Sequence, residues 1–229
     1  MEKLFKAIRR GDIDVVRAVL DKDPTLIAAV RKPPPKKDTG QQPLGIALKT
    51  ANYEIARLLL ERGANVNFIE DESVDGRQPV LNDAIEAAIA SALFTLPDPD
   101  EAAASLAVLR LMLELGADVT ATHPDSGLTP LWWAAFRVQR RVPHGQGLKP
   151  RHVAGITEVF QTLLGAGADP DETIEWVRPR ANPQETPWRT RTNLREYLIE
   201  NSTGTYGKIS RGLLAILENR RPDDADLEL

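Results

Sequence analysis

Three kinds of side chain in this sequence could do chemistry, and their spacing decides whether they do. The histidines are His123, His144 and His152, the last two eight residues apart. Metal binding or base catalysis on a helix needs pairs at HxxxH or HExxH spacing, and none occurs. Cysteine is absent, which removes disulfides and thiolate metal sites. Carboxylates gather at Glu70, Asp71, Glu72 and Asp75, and again at Asp98, Asp100 and Glu101. Paired acids can hydrolyse glycosidic bonds, but both clusters read as solvated loops without apolar walls. "DPDE" also reads as a helix start, where acids are favoured. No phosphate loop and no nucleophile elbow is present. No catalytic, cofactor-binding or metal-binding residue is therefore assigned, and the chain reads as non-enzymatic.

The third kind is arginine. Arg137, Arg140, Arg141, Lys149 and Arg151 are close in sequence, as are Arg178, Arg180, Arg189, Arg191 and Arg195. Guanidinium groups pair well with phosphate. Against nucleic acid stand the pI of about 5.5 and a strongly acidic middle, which repels a long polyanion. Residues 1–49 carry a balance of +5, residues 50–128 of −10, residues 129–195 of +4 and residues 196–229 of −3. A field of this kind steers association more than it sets fold. The −10 stretch predicts a protein partner with a basic surface patch, and the arginines read as docking groups for acidic patches or as internal ion pairs with the second and third units.

The elements that position these residues follow from internal repetition. "ARLLLERGANVN" (56–67), "LRLMLELGADVT" (109–120) and "FQTLLGAGADPD" (160–171) each end a leucine-rich helix in Gly-Ala-Asn or Gly-Ala-Asp. Ile156, Val159, Phe160, Leu163 and Leu164 keep helical spacing. Gly63, Gly116 and Gly167 stand where a left-handed residue closes a helix. Thr129-Pro130 is a helix start in which the threonine hydroxyl can cap and proline tolerates the first position. Gln42-Pro43 and Gln78-Pro79 are weaker copies, and Thr186-Pro187 is a good one.

These segments together resemble the ankyrin-repeat family, whose motif runs G-x-T-P-L-H-x-A-A, a turn, an outer helix and L-L-x-x-G-A-D. "GLTPLWWAAF" with "TEVFQTLLGAGADPD" matches it, and so does "GQQPLGIALKTANYEIARLLLERGANVN". "GRQPVLNDAIEAAIA" aligns in two registers one residue apart, and "TPWRTRTNLREYLIENSTGTYGKISRGLLAILENR" looks like a degenerate closing repeat. Gly63 to Gly116 is 53 residues and Gly116 to Gly167 is 51, against ~33 for the family period, so insertions are expected, "VQRRVPHGQGLKPRHVA" between the two helices of the fourth unit among them. The expected fold is all-α, an ankyrin-type helical-repeat solenoid of about five units with long insertions. One domain spans residues 1–221, with units near 1–30, 38–67, 76–120, 125–171 and 183–220, and residues 222–229 form a disordered acidic tail.

The resemblance implies a binding module, since members use their fingers and inner helices to hold other proteins. Carried onto this sequence, the contact residues are Asp38, Gln41, Lys49, Thr50, Glu70, Asp71, Glu72, Asp75, Glu86, Asp125, Ser126, Phe136, Arg137, Arg140 and Arg141. The role expected is that of an inhibitor or immunity protein blocking a toxin or enzyme, such as a basic nuclease. The alternatives are nucleic-acid binding or regulation through the arginine clusters, or an enzyme with its site in the insertions at His144 and His152. No apolar run approaches the ~20 residues of a membrane helix, and the N-terminus lacks the pattern of a signal peptide; with no cysteine, a cytoplasmic location is expected. The adjacent Trp132 and Trp133 point ~100° apart on a helix. Trp132 takes the place of the family's histidine and is expected between the third and fourth units, Trp133 is expected to be at least partly buried, and Phe136 is the better candidate for touching a partner.

Overall fold

A computed structural model describes residues 1–33, 38–70, 77–93, 99–177, 189–220, 222 and 227. Among the described residues ten α-helices come in five consecutive pairs: α1 (Glu2–Arg10) and α2 (Ile13–Lys22), α3 (Pro43–Lys49) and α4 (Tyr53–Glu61), α5 (Val80–Leu93) and α6 (Pro99–Glu114), α7 (Pro130–Arg141) and α8 (Pro150–Gly165), α9 (Leu194–Glu200) and α10 (Gly207–Leu217). The fold is an all-α helical repeat, with one small addition: strands β1 (Ile174–Val177) and β2 (Arg189–Thr192) pair antiparallel. The chain divides into two compact bodies, Met1–Ala88 with Asp98–Asp118 and Ile89–Pro97 with Val119–Leu229.

In the N-terminal body α1 packs on α2 and α3, and α4 packs on α3 and α6. The core between them is apolar, with Leu4, Ile8, Val16, Leu20, Ile46, Ile55 and Leu59 all buried. Burying each such side chain contributes about 1.5–3 kcal/mol. The Asn67 side chain links successive turns: its Nδ2 donates to the Gly116 carbonyl (3.0 Å) and its Oδ1 accepts from the Asp118 N–H (2.8 Å).

Helix starts and stops follow the sequence signals unevenly. Gly63, Gly116 and Gly167 have φ of 86°, 87° and 97°, the left-handed closure expected of them. Pro43 and Pro130 each occupy the first turn of a helix. Neither Gln42 nor Thr129, however, makes a side-chain capping bond, so the threonine cap expected from Thr129-Pro130 does not form. The third unit's register is settled by Pro79, which stands outside α5 and bridges Ile69. Leu81 then takes the place of Leu44 and Leu131, and all three are buried at 1–2 % exposure. The Val80 N–H donates to the Phe68 carbonyl at 2.8 Å and the Glu70 N–H to the Gln78 carbonyl at 3.1 Å, so the finger runs through Pro79 and the helix starts at Val80.

In the C-terminal body α7 packs on α8, and α10 packs on α7, α8 and α9. About half of the insertion expected between the helices of the fourth unit is absorbed into longer helices: α7 runs to Arg141 and α8 begins at Pro150. His152, expected in a loop, therefore lies in α8 and is buried. Thr186-Pro187 lies outside the described residues, and the first helix of the last pair starts at Leu194. Asn193 caps it, its Oδ1 accepting from the Glu196 N–H at 2.8 Å while Glu196 reaches back to the Asn193 N–H. In the chain's last residues, Pro222 is buried and Leu227 is buried and bridges Leu148; the rest of the expected acidic tail lies outside the described residues. None of the described helices is long and apolar enough to cross a membrane.

Candidate protein-binding site

The predicted contact residues fall into two sets, one in each body. In the N-terminal body most are committed to internal partners. Asp38 is held by Arg9, whose Nε donates to its Oδ2 at 2.6 Å. Gln41 closes the same turn, its carbonyl accepting from the Arg31 N–H at 2.9 Å. Thr50 at the end of α3 donates its hydroxyl to the Ile46 carbonyl at 2.7 Å. Glu86 is half-buried on α5. Asp71, Glu72 and Asp75 lie outside the described residues.

Lys49 and Glu70 are paired with one another in a polar cluster whose carboxylates are buried while the lysine reaches solvent. Lys49 Nζ donates to Glu70 Oε1 and lies 3.6 Å from Asp83 Oδ1. Gln78 serves both acids: its Nε2 donates to Asp83 Oδ1 and its backbone N–H to Glu70 Oε2 at 3.2 Å. Glu70 is only 5 % exposed and Asp83 only 4 %. Burial pushes the Asp83 carboxyl up to about 7, and Glu70 adds to the rise, while Lys49 and Gln78 oppose it. Asp83 Oδ2 and both amide atoms of its neighbour Asn82 are buried and make no hydrogen bond among the described residues. By its sequence context Glu70 is expected to be a solvated loop acid. It is buried because the bridge between Ile69 and Pro79 pulls it against α3 and α5, where Lys49 supplies the opposite charge. Asp83 had no distinguishing signal, since an acid in an otherwise apolar helix start reads as an ordinary first-turn residue.

The set in the C-terminal body is organised around Trp133. The finger before α7 is a tight turn: the His123 N–H donates to the Leu128 carbonyl and the Gly127 N–H to the His123 carbonyl, both at 2.8 Å. Its imidazole stacks on Trp133, with centroids 5.2 Å apart and planes at 22°. The Asp125 N–H donates to His123 Nδ1 at 3.2 Å, which requires that nitrogen to be an unprotonated acceptor. One turn along α7, the Arg137 guanidinium lies 5.4 Å from the Trp133 ring centroid. The Phe136 ring lies 6.1 Å away. Trp133, Phe136 and Arg137 are half-buried, and Asp125, Arg140 and Arg141 are exposed. The Trp133 Nε1 and the Ser126 hydroxyl are buried and make no hydrogen bond among the described residues. Trp133 is at least partly buried, as its neighbours predict.

Trp132 is buried. Its aromatic partners come after its own unit: Tyr197 at 4.9 Å and Trp176 at 6.2 Å. The β-hairpin, which the helical repeat pattern did not announce, brings Trp176 there. Among the arginines, Arg195 makes internal ion pairs with Asp171 (2.8 Å) and Glu218 (3.8 Å); Arg178 and Arg180 lie outside the described residues. His144 Nε2 meets the Tyr206 hydroxyl at 3.1 Å, and His152 Nε2 accepts from Arg151 at 3.1 Å. Among the described residues no three acids or histidines gather to hold a metal ion.

With the helix pairs, their glycine closures and the finger before α7 in view, the comparisons with known proteins are decisive. Residues 2–70 match a family model described as ankyrin repeats in three copies. The chain carries ankyrin repeats. It is 28 % identical over 170 residues to the nuclear factor NF-kappa-B p105 subunit of Gallus gallus, covering 59 % of this chain and 17 % of that protein. It is 37 % identical over 71 residues to the ankyrin repeat, SAM and basic leucine zipper domain-containing protein 1 of Saimiri boliviensis boliviensis, covering 31 % of this chain and 14 % of that protein. The same protein from Ateles geoffroyi matches to the same extent. The chain thus spans less than a fifth of the length of these relatives. Ankyrin repeats are a protein–protein interaction module.

Proposed function

We propose that this ankyrin-repeat protein is a non-enzymatic, cytoplasmic binding module that blocks a toxin or enzyme by holding it at the finger before α7 and on α7 itself. The observation that carries this reading is the half-buried group of Trp133, Phe136 and Arg137, set beside the exposed Asp125. Binding energy concentrates in tryptophan, tyrosine and arginine side chains at the centre of an interface. A ring already stacked on His123 loses little conformational freedom on binding. In the N-terminal body, Asp38, Lys49 and Glu70 are engaged internally, and the partner is held by Asp125, Ser126, Phe136, Arg137, Arg140 and Arg141. The face itself carries Arg137, Arg140 and Arg141 against Asp125; the −10 balance of residues 50–128 lies mostly outside it and supports a further, basic patch on the partner, whose association salt would slow.

The test uses the purified chain as bait in extract from its native source, followed by an activity assay on the recovered protein. One stoichiometric protein whose activity falls when the chain is added is the expected result. Recovery of a protein whose activity is unaffected removes the inhibitor reading. A low-salt gel shift abolished by replacing Arg137, Arg140 and Arg141 together, with no protein recovered, would put nucleic acid in the partner's place.

A further inference from the structure

A second feature of the C-terminal body was not among the predicted contacts. Between the β-hairpin and α9 lies a cavity of about 280 Å³, lined by Trp176, Tyr197 and Tyr206 together with Glu196 and Glu200. Small-molecule sites usually start at ~300 Å³, so the space suits one side chain rather than a cofactor.

Its aromatic walls are fixed before anything binds. Trp176 and Tyr197 meet edge to face, with centroids 5.3 Å apart and planes at 78°, and Trp132 packs against both. The Tyr197 hydroxyl donates to Gln139 Oε1 at 3.1 Å, and Gln139 Nε2 in turn donates to the buried Ser210 hydroxyl at 3.2 Å. The Tyr206 hydroxyl is engaged with His144. With their polar ends tied down, the rings have their orientation set, and a ring face attracts cations.

The charge on the walls has the matching sign. Glu196 and Glu200 are one turn apart on α9, where like charges repel. Glu196 spends one oxygen on the capping box. Among the described residues neither carboxylate makes an ion pair, and the Glu200 side chain makes no hydrogen bond. Arg191 also touches the cavity, but strand alternation sets it opposite Glu175 on the other side of the hairpin from Trp176, Thr190 and Thr192.

We propose that this cavity is a socket for one arginine or lysine side chain of a bound polypeptide, the cation lying against Trp176 and Tyr197 with Glu196 and Glu200 as counter-charge. The proposal rests on the reading of the chain as a module for a basic protein partner, and supplies the point at which that partner's charge is read.

The test is a proton–nitrogen NMR titration of the full chain with N-acetyl-arginine amide, with N-acetyl-citrulline amide as the uncharged counterpart of the same shape. Saturable shifts confined to residues 190–201 and their hairpin partners are expected for the arginine compound. Binding should be about tenfold weaker for the citrulline compound and for Glu200→Gln, as for loss of one charge-assisted contact. Glu175→Gln, on the opposite side of the hairpin, should titrate like the unaltered chain, and an unchanged spectrum of free Glu200→Gln shows that its fold is intact. Equal binding of both compounds, unaltered affinity of Glu200→Gln, or no shift at these residues would each overturn the proposal. The titration needs no partner protein, so a silent socket in a chain that still captures its partner condemns the socket alone. A working socket in a chain that captures nothing condemns only the larger reading.

Discussion

The Arg137 guanidinium stands 5.4 Å from the centre of the Trp133 ring. The two are four residues apart on α7, the spacing that stacks side chains along one helix face. Trp133 is thereby both a packing residue, through His123, and the platform for a charged group. The two roles separate on mutation. Trp133→Ala should destabilise the chain by about 2–4 kcal/mol, seen as a lower urea midpoint, because it removes the His123 stack. Arg137→Ala should cost under ~1 kcal/mol in the same experiment.

Asp83 makes stability depend on pH in an unusual direction. Its carboxyl is raised to about 7 in the fold from an ordinary 3.8. Between those values the folded chain holds a proton that the unfolded chain has released, so this group's contribution to stability falls as pH rises and is lost by about pH 7. Asp83→Asn should remove that slope, and at pH 8 should leave the chain ~1–3 kcal/mol more stable than the parent. Urea unfolding of both chains from pH 4 to pH 8 checks it; parallel curves would show that Asp83 does not titrate in this range.

Asn67 ties the turn after α4 to the turn after α6 with two hydrogen bonds. Asn67→Ala should cost about 1–2 kcal/mol, read as a drop in melting temperature, and Asn67→Asp should recover only the bond in which the side chain accepts from the Asp118 N–H.

Gly127 has φ of 72°, and a Cβ there would sit 2.6 Å from the Glu175 carbonyl oxygen. Gly127→Ala should therefore destabilise the chain by about 1–3 kcal/mol and shift the amide resonances of the finger and of β1 together. Changes confined to the finger would show that the close approach to Glu175 is absent in solution.

The helix pairs are legible because their signals are local: leucines at helical spacing, glycine just past α4, α6 and α8, proline at the start of α3 and α7. The register of the third unit was not, because Gln78-Pro79 and Pro79-Val80 offer the same type of start, and only the bridge of Pro79 to Ile69 separates them. The hairpin was missed for a related reason. "IEWV" and "RTRT" are four residues each, and the pairing that makes them strands is between residues 12 or more apart in sequence. The candidate site was half legible. Phe136 and Arg137 were placed by their position after the double alanine. Asp38, Lys49 and Glu70 were chosen for charge and position, but sequence does not show that Arg9 and Asp83 stand ready to engage them. His123 carried no sign of its stack on Trp133.

The central claim is that a partner protein is held at the Trp133, Phe136 and Arg137 face. It is tested most directly by calorimetric titration of the captured partner into the parent chain, Phe136→Ala, Arg137→Ala and, as a control on α1, Lys6→Ala. The account predicts that Phe136→Ala and Arg137→Ala each weaken binding at least about tenfold and that Lys6→Ala binds like the parent. Unaltered affinity in both α7 variants, with their folds intact, would contradict it.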